Sequence, residues 1–305
     1  MTVKIDKLLI GDNPFNGVSH RSRERGRGVA AMLSEREIVK VIETALDNGA
    51  GGLVFSVTPK MLSVLKYMKE KGWNRELHLY PIVPDVLSLV NESAELGMAG
   101  LLSRFLEGLS VQGKLKFMVK GGLAALSLSP VELIKIYLDT EIARIYETLP
   151  PGAETRAIFL HEVVTDTLVS LRIPNILQEY CKHIQSKFGV VPGLVTRNFP
   201  KLTEFAQLST ASLDSSVIMT PFNAVGFQMN PSRQHCEDAL LKQNRLTCEV
   251  IAMSILAAGR LTLEQAIRYL ASLSQLSACV VGISNESQAK KTFSFLKDNF
   301  VFRKY

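Results

Sequence analysis

The sequence lacks the features that mark exported, membrane-bound or zinc-binding proteins. It has four cysteines in 305 residues, and none belongs to a CxxC or CxxH pair. We therefore expect free thiols, as in a protein of the reducing cytoplasm. No apolar run approaches the roughly 20 residues of a membrane-spanning helix, and the first residues lack the apolar stretch of a signal peptide. These absences predict a cytoplasmic protein with no membrane partner.

Strong charge of one sign is also missing. Lys and Arg exceed Asp and Glu by 35 − 29 = 6, and most of this excess is scattered. Recognition of nucleic acid needs a concentrated basic patch, so we expect no such partner. The histidines show no HExxH or HxH spacing, and no metal is predicted. Nothing in the sequence indicates a particular oligomeric state.

Short apolar runs alternate with helical stretches along most of the chain. The eight runs cover residues 7–12, 52–57, 77–83, 156–161, 190–196, 215–220, 249–254 and 278–284. Continuous apolar strands are typical of parallel sheets buried on both faces, and the alternation indicates right-handed βαβ units. Eight units in about 300 residues favour a (β/α)8 TIM barrel, because no GxGxxG motif of a doubly wound sheet follows the first strand. We predict a single barrel domain over residues 1–305.

Helix-start signals support this pattern, with one interruption. Ser34 followed by Glu37, and Thr262 followed by Gln265, have the spacing of capping boxes. Between strands 3 and 4 the alternation stops, and residues 84–153 hold helix-like sequence plus one ambiguous run, 115–119. We interpret 84–153 as a helical insertion within the barrel.

Functional residues of such a barrel gather at the carboxyl ends of its strands. The residues that follow the eight runs form a mixed polar set, which suits a small-molecule pocket. They are Asp12, Asn13, Phe15, Ser56, Thr58, Lys60, Pro81, Asp85, His161, Glu162, Thr196, Arg197, Asn198, Thr220, Phe222, Asn223, Ser254, Gly282, Ser284 and Asn285. Of these, we expect Asn13, Phe15, Phe222 and Asn223 to contact substrate.

His161 is the strongest single candidate in this set. A histidine at the end of a buried strand can polarise a carbonyl group or move a proton, although it can also simply bond a neighbouring loop. The first loop adds four arginines at 21–27, among them Arg21 and Arg23. These could clamp an anionic or phosphorylated substrate, or they could belong to a solvated loop.

The last strand runs into a helix through Gly282, Ser284, Asn285 and Gln288. A helix N-terminus presents backbone N–H groups that favour a phosphate, and a glycine permits close approach. The same pattern also describes an ordinary capped helix. Both interpretations remain open on local sequence alone.

Four segments in the second half carry a family pattern: FLHE (159–162), GLVTRNF (193–199), VIAMSIL (250–256) and VVGISNESQAKKTF (280–293). Together they resemble the aldo-keto reductase superfamily, whose members are (β/α)8 barrels that use NADP(H). The resemblance implies NADP or NAD as cofactor and His161 as the catalytic histidine. It also implies cofactor contacts from Asn198, Ser254, Gly282, Ser284 and Gln288. We add to this expected cofactor-binding set Arg197, which replaces the family's serine, and Asn285, which can cap the last helix.

The first half departs from the family pattern. The family adds an aspartate, a tyrosine and a lysine to its catalytic histidine, and here those positions fall on Phe55, near Lys60, and on Pro81 or Ile82. Three of the four catalytic groups are therefore not matched. Lys60 or Arg197 would have to replace the lost acid.

Three functions follow from these residues. The first is a divergent NAD(P)-dependent oxidoreductase acting on a small carbonyl or alcohol. The second is a lyase, isomerase or hydrolase acting on a phosphorylated small molecule, with His161 and either Asp12 or Glu162 moving protons. The third is a barrel that has kept the fold and lost the chemistry.

Overall fold

A computed structural model of the chain describes residues 4–16, 33–85, 130–208, 213, 215–242 and 248–299. The arginine loop at 21–27, with Arg21 and Arg23, and the ambiguous run 115–119 lie outside the described residues.

The strands of the described chain form one closed parallel barrel, and the predicted TIM barrel is confirmed. They are β1 (Leu8–Gly11), β2 (Gly52–Ser56), β3 (Leu77–Val83), β4 (Ala153–Thr155), β5 (Ala157–Leu160), β6 (Val191–Val195), β7 (Val217–Pro221), β8 (Glu249–Met253) and β9 (Ala278–Gly282). Both β4 and β5 pair with β3 and only Arg156 separates them, so they share one of eight barrel positions. Pairing of β1 with both β2 and β9 closes the ring.

Helices surround this ring and connect its strands. Those in the described ranges are α1 (Glu35–Asp47), α2 (Pro59–Glu70), α3 (Pro130–Thr148), α4 (Glu162–Ser170), α5 (Pro174–His183), α6 (Phe199–Leu208), α7 (Arg233–Leu241), α8 (Leu263–Ala271) and α9 (Glu286–Asn299). Both predicted capping boxes are present, at Ser34 for α1 and at Thr262 for α8. None of the described helices has the length and apolar character that crossing a bilayer requires.

The predicted insertion is not confirmed. Within its range, α3 packs against α2, α5 and β3, which is the place of a barrel helix, and β4 is part of the barrel itself. Helical periodicity does not distinguish an inserted helix from a barrel helix, because both bury one apolar face. Residues 86–129 lie outside the described residues.

The core has two layers because successive strand residues point to opposite faces. Ile10, Leu53 and Phe55 belong to the layer between strands and helices. Side chains of the other parity fill the interior of the barrel, among them Tyr80 and Phe159. These two rings lie over Gly52 and Gly193, where an added Cβ would overlap them. The interior is thus packed solid, and a ligand site must lie at a barrel end.

A hydrogen-bond network occupies the amino end of the barrel. Tyr80 donates its hydroxyl proton to Asp6 Oδ2 at 2.6 Å, and His78 Nδ1 lies 2.7 Å from the same oxygen. Arg156 Nη2 lies 2.8 Å from His78 Nε2, so this ring nitrogen accepts and Nδ1 donates to Asp6. The network joins β3 to the segment before β1. In TIM barrels this end serves stability, and chemistry is expected at the other.

Candidate active site at the carboxyl end of the barrel

His161 lies directly after β5, at the carboxyl end of the barrel. Its backbone N–H donates to Val83 O at 2.8 Å, and its carbonyl accepts from the first turn of α4. The ring caps this helix, because Nδ1 accepts the backbone N–H of Val163 at 3.1 Å. The proton of the neutral ring must therefore sit on Nε2.

The surroundings of His161 favour its neutral form. Burial lowers the pKa of the imidazole, and the positive charge of Arg197 lowers it further. Glu162 and Asp85 act in the opposite direction, but burial is the largest effect. The ring is still 20% exposed. At neutral pH, His161 is an uncharged hydrogen-bond donor at Nε2.

Asp12 forms the second titratable element of this end. Its carboxyl is 3% exposed, and Oδ2 accepts from the backbone N–H of Ser56 at 2.8 Å and from Asn16 Nδ2 at 2.6 Å. Burial raises the pKa of Asp12 to about 7, and the negative charge of Asp85 adds to the rise, while the hydrogen bonds oppose it. Near neutral pH this carboxyl can hold a proton and release it.

Asp85 links these two groups electrostatically. It follows β3 and is buried, and its charge acts on both Asp12 and His161. Its backbone N–H donates to Glu141 of α3. Burial raises the pKa of Glu141, and Arg144 at 3.0 Å offsets part of that rise. The sequence placed Asp85 among the strand-end residues but did not single it out, because its burial depends on a helix far along the chain.

Glu162 and Arg197 form an ion pair beside His161. Arg197 Nη2 lies 2.8 Å from Glu162 Oε1. Glu162 Oε2 is 3.6 Å from His161 Nδ1, which is too long for a hydrogen bond, and the N–H of Val163 already occupies that nitrogen. Glu162 therefore balances the charge of Arg197 rather than binding the imidazole.

Asp166, which the sequence did not single out, ties α4 to the end of β6. Its carboxylate accepts hydrogen bonds from the hydroxyl of Thr196 and from the backbone N–H of Arg197, the latter at 3.1 Å. Burial raises the pKa of Asp166, and these two bonds oppose the rise. The only sequence signal was its position one helical turn after Glu162, on the same face of α4.

Asn198 has a structural use beside these contacts. Its backbone N–H donates to Thr196 Oγ1 at 2.9 Å, and its side-chain oxygen accepts from Lys201 N at 3.2 Å. It therefore caps the start of α6. Its predicted role in binding the cofactor stays a prediction.

Several predicted residues are not brought to His161 by any described contact. Lys60, in the first turn of α2, donates to the backbone oxygen of Leu33 at 2.7 Å. Phe15 is fully buried in the layer between strands and helices, whereas Asn13 is exposed. Their predicted roles stay predictions.

Phe222 and Asn223 also lie in the core. Phe222 packs edge-on against Phe199, with ring centroids 6.0 Å apart. Asn223 closes the loop after β7, because its amide both donates to and accepts from the backbone of Phe227 at 2.8 Å. Neither side chain has exposed surface. The structure gives both residues a packing role, and their predicted contact with substrate stays a prediction.

The start of α9 is bonded internally. Gln288 Oε1 accepts both the backbone N–H and the hydroxyl of Ser284, at 2.9 and 3.0 Å, and Asn285 Oδ1 accepts from Gln288 N at 2.8 Å. Gly282 ends β9 with Pro14 across from it, 3.1 Å from where a Cβ would stand. At the end of β8, Ser254 donates to Gln228 at 3.2 Å.

The unmatched family positions can be placed in the fold. Phe55 lies in the layer between strands and helices, and its neighbour Ser56 provides the N–H that binds Asp12. On β3, Pro81 is buried, and Ile82 packs against the barrel interior. Among the described residues, no three His, Cys, Asp or Glu side chains are grouped as metal ligands.

Comparison with known proteins locates the fold. No protein-family model matches the sequence, and no curated protein matches it. Several solved structures are similar in fold.

A proposed aldo-keto reductase from Pseudomonas aeruginosa has a TM-score of 0.56 and 11% identity, covering 97% of this chain and 91% of that one. Glycerol dehydrogenase AKR11B4 from Gluconobacter oxydans has a TM-score of 0.53 and 12% identity, covering 98% and 87%. Aldo-keto reductase AKR11C1 from Bacillus halodurans has a TM-score of 0.52 and 10% identity, covering 95% and 86%. The chain therefore shares the fold of the aldo-keto reductases, as its second half predicts.

Proposed function

We propose that this protein is an oxidoreductase that uses a nicotinamide nucleotide to interconvert a small carbonyl compound and its alcohol. One observation carries the proposal: His161 ends the fourth barrel position as a neutral imidazole whose Nδ1 is occupied and whose Nε2 carries the proton. Such a donor can hold a carbonyl oxygen and stabilise the negative charge that develops on it. The shared fold supports the same function.

We expect the dinucleotide to bind at the ends of β8 and β9. Gly282 carries no side chain that would crowd Pro14, and Ser284, Asn285 and Gln288 offer a hydroxyl and two amides at a helix start. These are the groups that would hold the phosphate end. When bound, the nicotinamide supplies or accepts a hydride. Ser284 would have to exchange a bond to Gln288 for one to the nucleotide.

The side chains of the protein must supply the proton that accompanies hydride transfer. His161 would hold the carbonyl oxygen through Nε2–H and keep that proton. The carboxyl of Asp12, which exchanges a proton near pH 7, would release the proton that converts the alkoxide into the alcohol and take up another from solvent. The electrostatic influence of Asp85 raises the pKa of both groups and so favours their protonated forms. This pair takes the place of the family tyrosine and lysine, which have no counterpart at the expected positions.

A second function has support from Asp12. A carboxyl with a pKa of about 7 is suited to acid–base catalysis without a hydride step. Together with His161 it would serve a lyase or isomerase. The predicted anionic or phosphorylated substrate rests on Arg21 and Arg23, which lie outside the described residues.

Binding of NADH and NADPH tests the first function. Trp73, the single tryptophan, lies just before β3, at the amino end, so protein fluorescence would report poorly on this site. Emission of the reduced nucleotide and calorimetry are the better measurements. Binding in the micromolar range supports the oxidoreductase. Absence of binding at millimolar nucleotide overturns it and leaves the acid–base function.

Turnover of a panel of small aldehydes, ketones and hydroxy compounds then tests His161. H161A is expected to lower kcat/KM by at least about a hundredfold while nucleotide binding persists. H235A is the matched control, because His235 is exposed on α7. Equal turnover of H161A and the parent would remove His161 from the mechanism.

A further inference from the structure

Asp166 binds two successive residues at the end of β6 and touches neither His161 nor the barrel interior in the described contacts. Thr196 donates to it through the hydroxyl, and Arg197 donates through its backbone N–H. The carbonyl of Arg197 is held as well, by Asn230 N at 3.0 Å. The backbone of Arg197 is therefore fixed on both sides.

This fixed backbone aims the guanidinium at one partner. Arg197 Nη2 reaches Glu162 at 2.8 Å, and Glu162 is the residue next to His161. Asp166 and Glu162 lie on the same face of α4, one turn apart, so the same helix holds both the backbone and the side chain of Arg197. Nε of Arg197 is buried and has no hydrogen-bond partner among the described residues. The ion pair of Nη2 with Glu162 is therefore the main contact that holds the guanidinium group in place.

We propose that Asp166 is a positioning residue: by binding Thr196 and the backbone of Arg197, it holds the Arg197 guanidinium on Glu162 and thereby sets the charge beside His161. The inference rests on the role given to His161 in the proposed function. It adds a residue that never touches substrate and acts only through Arg197.

The charges that face His161 fix the sign of the effect. Glu162 from α4 and Asp85 from the end of β3 favour the charged imidazole, and Arg197 from the end of β6 opposes it. If Arg197 leaves Glu162, the opposing charge moves away and both carboxylates remain. The pKa of His161 must then rise, and the neutral donor becomes scarcer near pH 7.

NMR titration of the His161 ring tests the proposal without any enzyme assay. D166N and R197Q are each expected to raise the pKa of His161 by roughly 0.5–1 unit, and the double variant by no more than the larger single effect. T196V removes the hydroxyl that bonds Asp166, together with the acceptor of the Asn198 N–H, and leaves the bond from Arg197 N, so it should give a smaller rise in the pKa of His161. It also provides the test if D166N does not fold.

D139N is the matched control, because Asp139 of α3 also accepts two bonds, from His183 and Lys187. It should leave the pKa of His161 unchanged. The proposal would be overturned if the pKa of His161 were unchanged in both D166N and T196V. Additive pKa shifts in the D166N/R197Q double variant would overturn it as well. Because the measured quantity is the pKa of the His161 ring, the outcome for Asp166 does not depend on whether the protein binds a nucleotide.

Discussion

Asp12 Oδ2 accepts the backbone N–H of Ser56 at 2.8 Å, and this bond joins the ends of β1 and β2 across the carboxyl mouth of the barrel. Asp12 has almost no exposed surface, and burial, with a smaller contribution from the charge of Asp85, raises the pKa of its carboxyl. A titratable group in this position couples the protonation of the site to the stability of the fold.

Replacing Asp12 by Asn should remove a pH dependence of stability. The pKa of Asp12 rises from 3.8 to about 7, so between these values the folded state holds a proton that the unfolded state has lost. Stability conferred by that proton is fully present below about pH 4 and is lost as pH rises through 7. The shift corresponds to about 4 kcal/mol of unfolding free energy.

Urea unfolding of the parent and D12N at several pH values measures this effect. The amide oxygen of Asn can keep both bonds that Oδ2 accepts, so D12N should lose the decline between pH 4 and 7 attributed to Asp12. D47N is the control, because Asp47 is 61% exposed. An unchanged decline in D12N would show that another group causes it.

His161 should contribute a dependence of opposite sign. Burial lowers its pKa below the usual 6.5, so in the window under 6.5 the unfolded state binds a proton that the folded state does not. Stability is therefore lost as pH falls through 6.5 toward the lowered pKa. H161N should weaken this acid sensitivity, and urea unfolding at pH 5 and 7 measures it. H235N should leave it unchanged, and a parent pKa above 6.5 by NMR would contradict the assignment.

Gly193 is expected to tolerate no side chain while Phe159 is present. An added Cβ would overlap the ring, so G193A should lower the free energy of unfolding by about 2–3 kcal/mol. Replacing Phe159 by the smaller leucine relieves the overlap. The double variant G193A/F159L should therefore lose less free energy of unfolding than the sum of the losses in the two single variants. Urea unfolding measures all three, and strict additivity would argue against the contact.

Asn223 should matter for the stability of the fold. N223A removes two partly buried hydrogen bonds to the Phe227 backbone, each of 2.8 Å, and should lower the free energy of unfolding by about 2–3 kcal/mol. N299A, at an exposed amide, serves as the control. Unfolding together with NADH and NADPH titration measures both stability and binding. Weaker nucleotide or substrate binding with unchanged stability would instead support the predicted contact with substrate.

The sequence predicted the barrel strands well, because buried parallel strands are nearly continuous apolar runs and interruptions such as Gly49 and Gly72 are visible. It also predicted His161 at a strand end. The predicted insertion over 84–153 is not confirmed, because α3 packs against α2, α5 and β3 in the place of a barrel helix. A helix that packs on the barrel and one that is inserted into a loop show the same periodic sequence.

The site itself depended on contacts across distant segments. Asp12 differs from an exposed aspartate because it is buried, accepts the N–H of Ser56 and feels the charge of Asp85. Asp166 gains its role only where α4 meets β6. The order of the strands predicts that polar residues at successive strand ends lie close together. The spacing of these residues in the sequence shows neither how deeply each side chain is buried nor which group donates each hydrogen bond.

By itself, the sequence determined a parallel (β/α)8 barrel, a polar carboxyl end and a histidine at that end, because apolar periodicity and turn residues act locally. The tertiary structure alone decided which polar residues serve packing, as Asn223 does, and which lie near His161. It also decided the protonation of His161 and Asp12. Burial and the charges of Asp85 and Arg197 set those states, and both arise only when the strands close into a ring.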